Sequence, residues 1–184
     1  DFERSGRLLY LGGNGLNCEV EFVDDQTCIY RNEDARELRN PVHGFESRFH
    51  QRQESEANLL GVVYDERGIM TAASYEVVDD RHWVFEGTGL KRGDLFGTEC
   101  LHQRVPGGAS GHETDKMSPS SPSNTRLLAC GLNPDNGGAH MVIHETTSGG
   151  AVFSVGSICW VSSLLVDDGV AQITRNVLER FRIS

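Results

Sequence analysis

Basic residues are scarce in this chain: 17 Lys and Arg stand against 27 Asp and Glu, for a formal net charge of −10. Nucleic-acid backbones are bound by clustered cations that displace counterions, so this balance argues against such a partner. Long apolar runs are missing as well. No stretch approaches the roughly 20 residues that cross a bilayer as a helix, so no membrane partner is expected. The five cysteines (Cys18, Cys28, Cys100, Cys130 and Cys159) are odd in number and contain no CxxC pair. They read as reduced thiols, most of them buried as small hydrophobes, which predicts a cytoplasmic protein. No initiator Met precedes Asp1-Phe2-Glu3-Arg4, and nothing after it resembles a signal peptide. That opening predicts a fragment, a processed subunit or the ordered part of a longer protein.

What remains is ample for one domain. The chain has 184 residues, 38% of them apolar and 24% charged, with 21 glycines, and describes a loop-rich globule with a real core. A single domain over 1–184 is expected, because no repeat or boundary interrupts it. Asp1 to Ser5 reads as the last turn of a helix stopped by Gly6. Arg7 to Leu11 is apolar enough for a strand buried on both faces. Cys18 to Val23 and Thr27 to Tyr30 predict a hairpin, and Leu59 to Tyr64 with Ile69 to Tyr75 a second one. Asn32 to Ala57 reads as loop with short helix. His82 to Glu86 predicts a strand closed by Gly87-Thr88-Gly89. Leu127 to Gly131, His140 to Glu145 and Ala151 to Val155 predict strands, the last two paired across Thr147-Ser148-Gly149-Gly150. Val170, Ile173, Val177, Leu178 and Phe181 form one stripe of a closing helix, which Asp167 and Asp168 precede.

The chemistry concentrates near glycines. Gly12-Gly13-Asn14-Gly15 follows the apolar run Leu8-Leu9-Tyr10-Leu11, so the chain turns sharply at the carboxyl end of a strand, where ligands collect in open α/β sheets. No GxSxG or GxCxG elbow is present, and the equivalent turn carries Asn14. An Asn amide is no nucleophile, but it donates to an oxyanion or orients a water. A hydrolase built this way uses activated water, with a metal or a carboxylate base. His112-Glu113-Thr114-Asp115 sits inside the Gly-, Ser- and Pro-rich loop 106–124 and puts an imidazole and two carboxylates within four residues. Such a set supplies a general base or hard-metal ligands, although its spacing matches no standard metal motif. The same residues also suit a polar loop whose carboxylates cap backbone groups. His43-Gly44-Phe45-Glu46 forms a second cluster. On one strand His82 and Glu86 would share a face; His82, beside Trp83, also fits a partly buried structural histidine. His144-Glu145, before the hairpin turn, is expected in solvent.

Four segments together resemble one family. Arg7-Leu8-Leu9-Tyr10-Leu11-Gly12-Gly13-Asn14-Gly15 is similar to the signature strand and turn in the C-terminal domain of the N,N-dimethylformamidase large subunit. His82 to Gly89, Gly149 to Ser157 and Ile173 to Leu178 resemble further segments of it, so the likeness runs from residue 7 to about residue 182. The resemblance implies an α/β fold like the class I glutamine amidotransferases: a flavodoxin-like sheet with helices on both sides, β-hairpin additions, and first strands lying in sequence before this chain or in a partner. It implies hydrolysis of a small N-substituted amide, with a mononuclear iron held by two tyrosines and a glutamate and no nucleotide cofactor. Glu46 and Glu86 both fall in segments that match the glutamate's place. One departure stands out: the family continues after the turn with Phe-Tyr-Trp, where this chain has Leu16-Asn17-Cys18.

The expectation is therefore a metal-assisted amide hydrolase, acting as a subunit or piece of an oligomeric enzyme. Asn14 lines its site, His112 with Glu113 supplies acid/base function, His82 is a further catalytic candidate, and Glu86 or Glu46 binds metal or water. The alternative is a non-catalytic domain that keeps the fold for assembly or ligand binding.

Overall fold

The structure, a computed structural model, describes residues 6–16, 20–30 and 55–182. In chain order its strands are β1 (Arg7–Tyr10), β2 (Val20–Phe22), β3 (Cys28–Tyr30), β4 (Val63–Asp65), β5 (Ala72–Ala73) and β6 (Tyr75–Val77). They continue with β7 (Leu95–Phe96), β8 (Ser110–Gly111), β9 (Thr114–Lys116), β10 (Arg126–Gly131), β11 (His140–Glu145) and β12 (Ala151–Ser154). Three helices are described: α1 (Ala57–Leu60), α2 (Cys159–Ser163) and α3 (Asp168–Arg182).

The longest apolar runs form the centre. β10, β11 and β12 pair antiparallel, and the tight connection before β12 turns through Gly149, whose φ of 90° suits a residue without Cβ. Six strands make the main sheet in the order β1-β12-β11-β10-β6-β7. Only β1 lies parallel to its neighbour, with Leu8 opposite Val152 and Tyr10 opposite Ser154. The described residues are thus mixed α/β with a mostly sheet core, accompanied by the short two-stranded ladders β2–β3, β4–β9 and β5–β8.

An aromatic cluster fills one face of the sheet. Tyr75 stacks on Phe96 at 5.5 Å and meets Trp160 edge-on at 5.5 Å. α3 lays Val170, Ile173 and Val177 onto this cluster. Its first turn is capped as the acidic pair before it predicts: Asp167 accepts from the Val170 N–H at 3.0 Å with one oxygen and from Thr98 N–H at 3.1 Å with the other. Trp160 Nε1 donates to Thr174 Oγ1 at 3.1 Å, so its one polar atom is satisfied. On the opposite face, Leu60, Val62 and Val142 form a smaller cluster that includes Leu8 and Tyr10.

Several elements differ from expectation. The first hairpin, the three central strands and the closing helix are present, whereas the second hairpin is not: Leu59 and Leu60 belong to α1, and β4 pairs with β9 instead of turning back on itself. Asp65 stops that hairpin, because its side chain accepts from Arg67 N–H and the Arg67 guanidinium and winds Glu66–Gly68 into a 3₁₀ turn. His82 to Glu86 is likewise no strand. Trp83–Phe85 is a 3₁₀ turn with His82 Nδ1 accepting from Val84 N–H, so His82 and Glu86 do not share a strand face. β1 is only half-buried rather than covered on both faces. Leu178 is 53% exposed, one position off the buried stripe. Loop 106–124 holds two buried strands, and His144 is buried, its Nε2 3.0 Å from the Leu59 carbonyl. The helix end expected before Gly6 and most of the stretch 32–57 lie outside the described residues. Among the described residues no helix is long and apolar enough to cross a membrane.

The packing predicts unequal costs along α2 and α3. Trp160→Ala removes a fully buried side chain and its bond to Thr174, and is expected to cost about 3–5 kcal/mol. Leu178→Ala, on the exposed flank, is expected to cost under about 0.5 kcal/mol. Denaturant unfolding monitored by circular dichroism measures both.

Candidate functional site

β1 and β12 run parallel, so their carboxyl ends emerge side by side. The chain after β1 becomes the glycine turn, and the chain after β12 becomes Val155 to Ile158. The two stay together, with Val155 N–H donating to the Tyr10 carbonyl at 3.1 Å. β9 arrives from the long loop and closes the third side. Asp115 N–H donates to the Gly156 carbonyl at 2.8 Å, and Ile158 N–H to the Glu113 carbonyl at 3.4 Å. Gly156 has φ of 66°, and a Cβ there would sit 2.8 Å from the Asp115 carbonyl oxygen. Gly13 is equally constrained, since a Cβ on it would lie 2.5 Å from the Glu113 carbonyl oxygen. Glycine is therefore needed at both places for the three segments to touch.

A side-chain carboxylate completes the junction. Asp115 Oδ1 accepts from Asn14 N–H at 2.8 Å and Oδ2 from the Tyr10 hydroxyl at 2.9 Å. The Tyr10 oxygen in turn accepts from Gly15 N–H at 2.7 Å. Asp115 is 2% exposed. Burial pushes its carboxyl up to about 7, and the Glu113 carboxylate pushes the same way, against the two hydrogen bonds that favour the charged form. Tyr10 is held well above the usual phenol range by burial and by the Asp115 charge.

His112 begins the segment in a left-handed conformation, φ 65°. Its backbone is clamped on both sides, its N–H donating to the Thr71 carbonyl at 2.9 Å and its carbonyl accepting from Met70 N–H at 2.8 Å. Its ring lies 4.7 Å from that of His102. Among the described residues, His112 Nδ1 is buried without a hydrogen-bond partner. A buried polar atom left open in this way suits a water or a ligand group. Ser157 fixes the loop from beneath, accepting from Gly111 N–H at 2.8 Å and donating to the Ala109 carbonyl at 2.7 Å.

The structure thus brings Asn14, His112 and Glu113 to one junction. His82 and Glu86 are not brought there. They flank the turn against α3, where Asn176 Nδ2 donates to the Val84 and Glu86 carbonyls, and the Glu86 side chain is exposed. Burial and then the Arg126 charge lower the His82 pKa. Glu46 lies outside the described residues. Asp115 takes the backbone-capping role that the 112–115 carboxylates also suited, while Tyr10, within the apolar run two residues before Gly12, enters the site only through the structure. Among the described residues no three His, Cys, Asp or Glu side chains converge as a metal-binding group.

Comparison with known proteins agrees with the resemblance. Residues 2–173 match the family model described as N,N-dimethylformamidase beta subunit-like, C-terminal. Over 127 residues the chain is 36% identical to the N,N-dimethylformamidase beta subunit of Paracoccus aminophilus, covering 54% of this chain and 16% of the relative. It is 33% identical over 127 residues to the beta subunit of the same name from Alcaligenes sp, with the same coverage. The chain spans 16% of the length of the curated relatives it matches. With a family model matched along almost all of its residues, the chain belongs to the N,N-dimethylformamidase beta subunit-like C-terminal family.

Proposed function

We propose that this chain carries part of the active site of a small-amide hydrolase, as a subunit or portion of a larger enzyme. The observation behind the proposal is the junction at the ends of β1, β9 and β12, which sets Asn14, His112 and Glu113 together. The relatives' names supply the reaction class, and their designation as beta subunits supports a partner chain.

The chemistry follows from the groups present. A water adds to the amide carbonyl carbon while Glu113 takes its proton. Asn14 donates from its side-chain amide to the oxygen that becomes negative, a contact that strengthens as charge develops. The C–N bond then breaks, and the leaving amine takes the proton back from Glu113, with the adjacent His112 as the second acid/base group, giving carboxylic acid and amine. A mononuclear iron, where bound, would polarise the amide carbonyl and acidify the attacking water. We take the parallel β1–β12 pair as the part of a glutamine amidotransferase-like sheet that this chain supplies.

A non-catalytic assembly or ligand-binding domain is the competing reading, favoured by Leu16-Asn17-Cys18 in place of the family's aromatic triplet. The two separate cleanly in the complete enzyme. Glu113→Gln and Asn14→Ala are each expected to lower kcat for formamides at least about a hundredfold, with the fold retained by circular dichroism. Unchanged kcat in both leaves the non-catalytic reading. Gly13→Ala forces the turn away from Glu113 and is expected to lower kcat at least about tenfold without altering any functional group.

A further inference from the structure

We propose that Asp115 is a positioning residue for Asn14: its carboxylate fixes the turn conformation that holds the Asn14 amide beside Glu113. The inference rests on the amidase reading for its catalytic consequence, while its structural part stands alone. Asp115 is fully enclosed and both of its oxygens are committed within the protein, so it does not reach a substrate. Its action passes through the turn.

Asn14 has φ of 51°, a left-handed conformation that Asn adopts more readily than most L-residues. A charge-assisted hydrogen bond from its own N–H selects that conformation and sets the direction in which its side chain leaves the backbone. The second oxygen acts on the far side of the turn. Tyr10 donates to Asp115 and accepts from Gly15 N–H, so one carboxylate holds the residues on either side of Gly12 and Gly13.

Only the ionised form satisfies every group. An ionised carboxylate is acceptor-only, which matches two incoming donors. A proton on Oδ1 meets the Asn14 N–H. A proton on Oδ2 must be accepted by Tyr10, whose own hydrogen then has nowhere to go because Gly15 occupies its other side. The titratable groups around this charge are Tyr10 on β1, Glu113 on the same segment, Tyr75 on β6, and Glu56, which acts on Tyr10. With the Asp115 carboxyl raised to about 7, the turn is expected to loosen between pH 7 and 6.

The test uses the complete enzyme with Asp115→Asn and Tyr10→Phe. Asp115→Asn keeps an oxygen for the Asn14 N–H but turns an amide N–H toward Tyr10, whereas Tyr10→Phe removes the donor to Asp115 Oδ2 and the bridge to Gly15 but leaves the charged acceptor for the Asn14 N–H. Hydrogen-exchange protection of residues 12–16 is expected to fall below pH 7 in the parent, with a midpoint of about 7. In Asp115→Asn it is expected to be low at every pH. The kcat/KM profile is expected to show an acid limb at the same midpoint that vanishes in Asp115→Asn, with kcat at least about tenfold lower and KM within about twofold. Tyr10→Phe is expected to lose less than Asp115→Asn. Parental protection in Asp115→Asn overturns the proposal, as does parental kcat with the acid limb intact. If Asn14→Ala keeps full kcat while protection still follows Asp115, the amidase reading fails and the turn-holding role stands.

Discussion

One buried carboxylate joins the two halves of the candidate site. A charge enclosed as Asp115 is loses its hydration, a cost of several kcal/mol unless hydrogen bonds replace it. Here a phenol and a backbone amide do so. Both donors belong to the end of β1 and its turn, whereas Asp115 belongs to β9, 101 residues away from Asn14. Removing the charge therefore relaxes more than a local contact: it frees the glycine turn from the segment that carries His112 and Glu113.

The sheet gives that joint a rigid base. Parallel pairing of β1 with β12 sends both chains out on the same edge, and the backbone bonds from Val155 to Tyr10 and from Asp115 to Gly156 continue the register beyond the last paired residues. β12 is in turn anchored by β11 and by the aromatic cluster beneath it, in which Tyr75 donates to the Val155 carbonyl at 2.8 Å. Residue 155 is thus fixed from the core side by Tyr75 and from the edge by Tyr10.

Much of this was legible in the residues, and what was not has physical causes. The apolar runs of β10, β11 and β12 and the helical stripe of α3 dictate their elements, because β11 and β12 are buried on both faces and α3 buries one stripe against the core. The glycine turn marked the right edge of the sheet for the same reason that nucleophile elbows sit there. Short segments failed. Trp83–Phe85 has strand-like composition, yet His82 accepts a bond two residues on and closes a turn instead. β4 finds its partner in β9, far along the chain, a pairing that no local pattern encodes. Asp115 was legible as a capping carboxylate but its partners were not, since the Asn14 N–H and the Tyr10 hydroxyl reach it only through long-range pairing, Tyr10 at 2.9 Å.

The position of Asp115 sets stability and geometry against each other. Its folded pKa of about 7 lies above the ordinary aspartate value of 3.8, so the folded protein binds this proton more tightly than the unfolded chain across that window. Its contribution to folding stability accordingly falls as pH rises from about 4 to about 7 and is level above. The geometry of the turn runs the other way, because only the charged form accepts both donors. Near neutral pH the protein thus gives up stability to keep Asn14 placed. The two hydrogen bonds pull the Asp115 pKa down, as the Arg126 bond does for Asp79, but desolvation outweighs them at Asp115.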